Sequence, residues 1–494
     1  MPRAKAREKK RFNSQEWIFP MLVVIYLILL IILILILASI QLSLPITTFA
    51  RGGVKLCSDS DGGRDYFTLG IVTVGSTTYE DFCQDKLILQ EYYCRRGNVA
   101  YELVSCSDSC QSGACQQAPA PAPANVTNVT QNQTQQNYTQ TLEIKGMRFG
   151  ASYYYNQGYT AKTLASKIVT DAKNNNITTI FFHTYNSVYG AFYLTSYSYT
   201  IVEGGFGKQN MLRELINAAH ANGIKVIASI PVNDFKQAWV AQPNWRSKLR
   251  NGSDYVPKTD HYFLSTWHDS YINWYDGFVK NLINNYPDLD GVEALEGIVD
   301  WNWNLDADYN SQHNQKYYAR YPSGVLGDAN WKLFRAEGLT NLHKILINNT
   351  HTKGIKAYVV QTWAPKDNGS LMTSEEIRDG SGFDFNGIMD LANKPDYLQA
   401  ELIWQQWAYR KNDKATFNPD WTAKARDQFL IKVGGRTKVI VHVEITPFGS
   451  YAPTNSEFET SLRHARTGTS GADFYNHKQA QDKNAWSNVK AAYS

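Results

Sequence analysis

Apolar residues are distributed in two different ways along the chain. Residues 18–40 form one uncharged run, whereas beyond residue 145 short strand-like apolar runs alternate with longer segments of helical periodicity. A continuous run of that length is typical of a membrane-spanning helix, and the alternation is typical of a parallel sheet with connecting helices. The pattern therefore predicts an anchor followed by an α/β domain.

The apolar run is long enough to cross a bilayer. As a helix it would extend about 35 Å, against a hydrocarbon core of about 30 Å. It exceeds the apolar region of a cleaved signal peptide, and no small-x-small cleavage site follows it. Six basic residues precede it and no charge follows until Arg51. We expect a cytoplasmic basic tail (1–17), an uncleaved single-pass transmembrane helix (18–40) in the cell membrane and an extracellular remainder.

The cysteines are confined to residues 52–116, which we interpret as a small separate module. The six residues are Cys57, Cys83, Cys94, Cys106, Cys110 and Cys115. An even number in a short extracellular segment predicts up to three disulfides, with 15 possible connectivities. Zinc is the rival interpretation, but the chain has no Cys-x-x-Cys pair. The arrangement resembles small cysteine-rich modules of archaeal surface proteins.

Alternate acids near the start of this module indicate a possible calcium ligand set. Asp59, Asp61 and Asp65 surround a pair of glycines, as in a tight loop lined by oxygens. The bidentate glutamate that closes an EF-hand loop is missing, so solvated turn residues are the alternative.

Residues 117–143 read as a linker. They are rich in Ala, Pro, Gln, Asn and Thr, and they contain four of the eight Asn-x-Ser/Thr sequons. The sequons begin at Asn125, Asn128, Asn132, Asn137, Asn176, Asn251, Asn348 and Asn368. The clustering predicts a glycosylated, unstructured stalk.

Residues 145–494 predict a (β/α)8 TIM barrel. The candidate strands are 148–154, 179–184, 225–230, 291–296, 356–362, 386–390, 438–445 and 472–476. The candidate helices between them are 160–174, 208–222, 269–285, 331–348 and 422–433. A doubly wound open sheet is the rival fold, but tyrosines rather than a glycine-rich loop follow the first strand.

Carboxylates follow two of these strands at the end where barrels build their active sites. The fourth strand carries Glu293 and Glu296, and the seventh carries Glu444 on the same face as His442. Paired carboxylates hydrolyse glycosidic bonds. We assign Glu444 as nucleophile and either Glu296 or Glu293 as general acid/base.

Aromatic and polar residues near other strand ends are candidate sugar contacts, because flat aromatic faces suit the C–H faces of sugar rings. The candidates are Tyr153, Tyr155, His183, Asp300, Trp301, Trp303, Trp363, Asp390 and His442. Asp300 and Asp390 are also reserve acids.

Three segments, taken in order, resemble glycoside-hydrolase-like barrels distantly related to the alpha-amylase clan. They are 190–196 (Gly-Ala-Phe-Tyr-Leu-Thr-Ser), 219–226 (Ala-His-Ala-Asn-Gly-Ile-Lys-Val) and 285–292 (Asn-Tyr-Pro-Asp-Leu-Asp-Gly-Val). The resemblance implies a barrel with glycosidase activity. Those relatives continue Asp-Gly-Ile-His-Leu-Asp, and Leu295 replaces the last, functional aspartate here. This departure favours an alternative, a catalytically inactive barrel that binds surface glycan.

The balance of acidic and basic residues bears on which partners the chain could bind. With 49 basic and 45 acidic residues the formal charge is +4, which gives no support to nucleic-acid binding. No metal-ligand spacing stands out in the barrel, so we expect no cofactor. The overall expectation is a membrane-anchored extracellular glycoside hydrolase acting on a cell-envelope polysaccharide or glycan. A structural surface protein that uses the barrel as a spacer is the third possibility.

Overall fold

The structure is a computed structural model that describes residues 57–63, 65–83, 88–95, 97–106, 109–116, 144–258 and 260–494. The chain divides into two compact units, Met1–Thr134 and Gln135–Ser494. The predicted tail (1–17), transmembrane helix (18–40) and linker (117–143) lie outside the described residues and stay predictions. Within the described ranges, no helix combines the length and the apolar character that crossing a membrane requires.

The first unit is a small β module held by disulfides. Its strands are β1 Cys57–Asp59, β2 Ile71–Val74, β3 Thr77–Glu80, β4 Phe82–Cys83, β5 Ile88–Arg95, β6 Asn98–Ser105, β7 Ser109–Gln111 and β8 Ala114–Gln116. The disulfides are Cys57–Cys94, Cys83–Cys110 and Cys106–Cys115. All six cysteines are therefore paired, which confirms the disulfide prediction and excludes a cysteine zinc site.

The second unit is a closed barrel of eight parallel strands, which confirms the predicted (β/α)8 barrel. The strands are β9 Ile144–Phe149, β10 Thr179–His183, β13 Lys225–Pro231, β14 Gly291–Leu295, β15 Lys356–Thr362, β16 Tyr397–Glu401, β17 Lys438–Glu444 and β18 Gly471–Tyr475. Each strand pairs with the next, and β18 pairs with β9. Two short strands, β11 Tyr185–Asn186 and β12 Gly190–Ala191, form a hairpin after β10.

Helices follow the barrel strands and pack apolar faces against them. They are α1 Ala161–Asn174, α2 Met211–His220, α3 Lys236–Ala241, α4 Asp269–Asn285, α5 Ser311–Arg320, α6 Ala329–Thr352, α7 Ser374–Ser381, α8 Phe385–Met389, α9 Trp404–Lys411, α10 Pro419–Val433, α11 Asn455–Arg466, α12 His477–Asp482 and α13 Trp486–Tyr493. Side-chain caps fix several helix starts; Thr160, for example, accepts from the Thr163 amide at the start of α1.

The barrel interior changes character along its axis. Its lower layer is apolar and consists of Ile144, Phe181, Ile227, Tyr358, Tyr397 and Ile440. Strand side chains alternate with a period of two, and two residues further along, four of these strands carry polar side chains on the same face: His183, Ser229, Gln399 and His442. The other two strands carry Gly146 and Val360 there. The carboxyl ends of the strands thus receive polar groups above a packed apolar base.

One predicted strand is wrong and another is displaced. Residues 386–390 lie in and just after α8, because Phe385, Ile388 and Met389 recur at helical spacing and Asp384 caps the first turn. The sixth strand is instead β16, eleven residues later. The first strand ends at Phe149, and Ala151–Tyr154 form a 3-10 turn rather than its continuation.

Candidate active site

Glu296 reaches the barrel mouth through an unusual backbone turn. Strand β14 ends at Leu295, and the next residue has φ 42°, in the left-handed region that non-glycine residues seldom adopt. Continued strand alternation would place Glu296 on the outward face of Val292 and Ala294. The turn redirects its carboxyl into the mouth, where it hydrogen-bonds to Glu401. Such strain concentrates at functional sites.

Glu401 and Glu444 end the neighbouring strands β16 and β17. In the parallel register Glu401 lies beside His442, so the two glutamates stand at the same rim of the barrel. The Thr362 hydroxyl donates to Glu401, and the Thr446 hydroxyl donates to Glu444. Three carboxyls from three strands therefore meet at the mouth; we call Glu296, Glu401 and Glu444 the mouth layer.

The mouth layer favours a bound proton on Glu296. Burial disfavours its charged form, and the hydrogen bond and charge of Glu401 and the charge of Glu444 act in the same direction. Together they raise the pKa of Glu296 well above its usual range. A carboxyl that stays protonated near neutral pH is suited to act as a general acid.

Glu293 lies one layer deeper and is neutralised by an arginine. Arg148 contacts its two carboxylate oxygens at 2.7 and 2.8 Å, and the Ser229 hydroxyl donates to it at 2.5 Å. Glu293 is completely buried. Its oxygens are thus committed to an ion pair, and we remove it from the candidate acid/bases.

Asp473 and His442 complete this deeper layer. The Arg148 Nε lies 2.7 Å from Asp473 Oδ2, and the imidazole Nδ1 of His442 lies 3.0 Å from Asp473 Oδ1. Burial opposes the imidazolium, but Asp473 and Glu444 together raise the pKa of His442 to about 10. Its Nε2 lies 3.8 Å from Glu444 Oε1. We call Arg148, Glu293, His442 and Asp473 the ion-paired layer.

The mouth layer lines an open cavity of about 520 Å³. Aromatic side chains line the same cavity: Trp301, Trp303, Trp407 and Phe448. A smaller cavity of about 170 Å³ shares Glu296 and Trp301 with it. Their combined lining of carboxyls and flat rings fits a polar, ring-shaped substrate such as a sugar.

Several predicted binding residues lie at these cavities. Trp301 and Trp303 line the larger one, and His183 lines the smaller one. Burial lowers the pKa of His183 to about 3, so the ring is neutral, and it stacks on Tyr475 at 5.5 Å. Tyr153 lines neither cavity: it is 43% exposed, and its hydroxyl contacts that of Tyr475.

Other predicted binding residues are placed elsewhere. Trp363 is completely buried and donates its indole N–H to Met372 O, and Tyr155 stacks on Phe206 at 5.8 Å outside the lining of either cavity. Asp300 is fully buried and accepts hydrogen bonds from the Tyr255 hydroxyl and from backbone amides.

Asp390 is exposed at the end of α8 and not at a barrel strand end. Trp363, Asp300 and Asp390 therefore change from candidate sugar contacts or reserve acids to structural or surface residues.

Sequence reasoning missed Glu401 because it misplaced the sixth strand. The signal was present: Pro395 and Asp396 precede a five-residue run that ends in a glutamate, as β17 does at its own end. It also missed Arg148 and Asp473, each a fully buried charge within a strand. A charged side chain inside the barrel needs a partner of opposite charge, so an arginine and an aspartate at two interior positions indicate an ion pair between them.

Comparison with known proteins finds the barrel and no closer relationship. No protein-family model matches the chain. No curated protein matches it either. The PgaB glycoside hydrolase domain from Bordetella bronchiseptica is similar in structure, with 10% identity and a TM-score of 0.52, over 71% of this chain and 99% of that one.

Two further glycoside hydrolases are similar over part of their length. An alpha-L-fucosidase from Paenibacillus thiaminolyticus has 14% identity and a TM-score of 0.47, over 70% of this chain and 48% of that one. A beta-galactosidase from Marinomonas ef1 has 10% identity and a TM-score of 0.49, over 70% and 58%. The chain thus spans about half the length of these two enzymes. The fold and the site together define a (β/α)8 barrel with a carboxyl-lined mouth.

Proposed function

We propose that the chain is a membrane-anchored glycoside hydrolase that cleaves a cell-envelope polysaccharide or glycan on the outer side of the membrane. The observation that carries the proposal is the hydrogen-bonded Glu296 and Glu401 pair beside Glu444, within a cavity that tryptophans line. Anchoring and location rest on the apolar run at residues 18–40 and the basic residues before it.

The three mouth carboxyls take different roles. Protonated Glu296 donates its proton to the glycosidic oxygen as the bond to the anomeric carbon breaks. Glu444 supplies the negative charge opposite it, and protonated His442 keeps that carboxylate paired. Glu401 holds the proton on Glu296 before the sugar arrives, because two adjacent carboxyls do not both ionise.

The barrel itself supports this class of reaction. The Bordetella glycoside hydrolase domain has the same fold over nearly its whole length. TIM barrels place catalytic groups at the carboxyl ends of strands, and all three glutamates occupy such ends. These observations support a glycosidase over a spacer protein, since a spacer has no need for clustered acids.

The activity test uses the detergent-solubilised full-length chain and a panel of envelope polysaccharides and aryl glycosides. We expect release of reducing ends by the wild-type chain and by Glu375→Gln, a control on an exposed glutamate of α7. Glu444→Gln should be inactive on the whole panel, and Glu296→Gln should be inactive on the polysaccharides. Equal, weak hydrolysis by all four proteins would contradict the proposal.

Azide assigns the roles within the mouth layer. With an activated aryl glycoside, azide should restore turnover of Glu444→Ala and Glu296→Ala and give glycosyl azides of opposite anomeric configuration if Glu444 is a nucleophile. The wild-type product then retains its configuration. Inversion by the wild-type chain would instead make Glu444 the base that activates water.

Leu295 gives the inactive glycan-binding barrel a specific observation in its favour. It occupies the position where the resembling barrels carry a functional aspartate, and it lines the smaller cavity. In that case the chain would bind a glycan without turnover, and Trp303→Ala would weaken binding while Glu296→Gln would not. The two proposals thus differ in one assay.

A further inference from the structure

The disulfide module contains a second cluster of acids, separate from the barrel. Among the described residues, oxygens of Asp61, Asp81 and Glu91 all lie within 4.8 Å of one another. They come from three different parts of the module: the turn after β1, the link between β3 and β4, and the middle of β5. Residues so far apart in sequence converge only because the module folds around them.

Glu91 gives the cluster its significance. Its side chain is completely buried, yet no amide or hydroxyl of the described residues donates to either carboxylate oxygen, and the group that it meets is the carboxyl of Asp81. An isolated buried carboxylate is strongly unfavourable unless it is paired, protonated or bound to a metal. The nearest charged groups, Asp81 and Asp61, are acids as well, so they add negative charge instead of compensating it.

The surrounding backbone holds the other two acids in position. Asp81 accepts from the Gly70 amide at 2.8 Å and from the Tyr92 amide at 2.5 Å, and Asp61 accepts from the Gly63 amide at 3.1 Å. Asp61 Oδ2 is buried and unpartnered.

Gly70 permits this close approach. A Cβ at that position would lie 2.5 Å from Asp81 Oδ2 and 2.6 Å from Asp61 Oδ2. Any side chain there would therefore displace both carboxylates.

The geometry points to a calcium site formed by Asp61, Asp81 and Glu91. Three carboxylates without nitrogen or sulfur donors favour a hard cation, and calcium accepts irregular arrangements that magnesium does not. Bound calcium neutralises the buried Glu91 and joins three segments, of which the disulfide Cys57–Cys94 already links the first, next to β1, to the third, on β5.

This ligand set differs from the one that the sequence predicts. Asp65 is exposed and lies outside the cluster, where its carboxylate accepts from the Phe67 amide and the Thr68 hydroxyl of its own turn. An EF-hand loop ends in a glutamate that binds calcium, and this chain has none at that spacing. In the proposed site Glu91 on β5 supplies the corresponding acid. Asp59 neighbours Asp61 and adds negative charge.

Calcium binding is measured on the full-length chain after chelator treatment, by equilibrium dialysis with radioactive calcium. We expect about one calcium per chain. Glu91→Gln and Asp81→Asn should weaken binding by at least roughly tenfold. Asp65→Asn, an acid of the same module outside the cluster, should bind as the wild type does.

Thermal unfolding of the module distinguishes lost binding from lost folding. In chelator, Glu91→Gln should melt no lower than the wild type, because the substitution removes a buried unpaired charge. Calcium should raise the melting temperature of the wild type and of Asp65→Asn, and not that of Glu91→Gln. Absence of bound calcium in the wild type, equal binding by Glu91→Gln, or tighter binding of magnesium or zinc would overturn the inference.

Discussion

The ion-paired layer and the mouth layer lie one above the other in the same barrel and treat charge in opposite ways. In the lower layer each acid faces a cation: Arg148 bridges Glu293 and Asp473, and His442 adds a second contact to Asp473. In the upper layer Glu296 faces two further acids, Glu401 and Glu444, and the imidazole of His442 lies 3.8 Å from Glu444. Acids are paired with cations below and crowded together above, which is the basis of our proposal that the lower layer supports the fold and the upper layer does the chemistry.

The largest expected effect follows from replacing Glu444, the carboxylate of the mouth layer to which we assign the negative charge. Glu444→Gln should lower kcat by about 10⁴-fold or more, because it removes the charge opposite the developing positive charge on the sugar. Steady-state hydrolysis by the folded variant, with Glu375→Gln beside it, measures the loss. A reduction of kcat by less than tenfold would mean that Glu444 takes no part in catalysis.

Removing the proton donor should have the next largest effect. Glu296→Gln should lower kcat/KM by roughly 10²- to 10⁴-fold on substrates with poor leaving groups, and less on activated aryl glycosides that need no protonation. The contrast between the two substrate types is the measurement. Equal losses on both would exclude Glu296 as the acid.

The same variant should gain stability at neutral pH. The folded chain binds a proton at Glu296 that the unfolded chain releases, so the wild type loses stability as pH rises from the unfolded pKa toward the raised folded one. The glutamine of Glu296→Gln does not titrate, so this loss of stability is absent from the variant. Denaturant unfolding at acid and at neutral pH measures the difference, and a wild type more stable than the variant at neutral pH would contradict the prediction.

Breaking the ion-paired layer should cost stability instead of chemistry. Glu293→Gln leaves Arg148 with one fewer carboxylate in a fully buried site, and we expect a loss of about 3–5 kcal/mol in the free energy of unfolding. Thermal melts measure it. A variant as stable as wild type but inactive would reverse the assignment of the two glutamates.

A smaller effect concerns the pH profile. Glu296 must be protonated to act, so kcat/KM should fall as pH rises through its raised pKa. Glu401→Gln removes one cause of that shift, and the alkaline limb of its profile should move to lower pH. An unmoved limb would mean that Glu401 does not set the protonation of Glu296.

The smallest expected effect lies at the cavity wall. Trp303→Ala should raise KM by roughly two- to tenfold, in keeping with the loss of one aromatic contact. Trp363→Ala is the matched control, because Trp363 is completely buried. Removing its indole should lower the thermal stability and leave the KM of the folded protein unchanged.

The periodicity of the barrel was readable from the sequence, and its loops were not. Seven strands lie at or overlap the predicted positions, since each is a short apolar run between helices. The sixth failed because the short helix α8 presents an apolar cluster much like a strand, and that error concealed Glu401.

The candidate site was only partly predictable for a related reason. Strand alternation correctly aligns Glu444 with His442, but it cannot rank Glu293 against Glu296, because the deciding feature is the left-handed backbone at Glu296. Glutamate has no particular preference for the left-handed region, so the sequence does not predict this turn. Likewise, Asp81 and Glu91 joined Asp61 through strand pairing rather than through any motif.

The most direct test compares the two glutamates of one strand. Hydrolysis per folded molecule and the free energy of unfolding are measured for Glu293→Gln and Glu296→Gln in parallel. The account predicts that Glu296→Gln is stable and inactive, whereas Glu293→Gln is destabilised and, where folded, active. A destabilised, active Glu296→Gln together with a stable, inactive Glu293→Gln would contradict it.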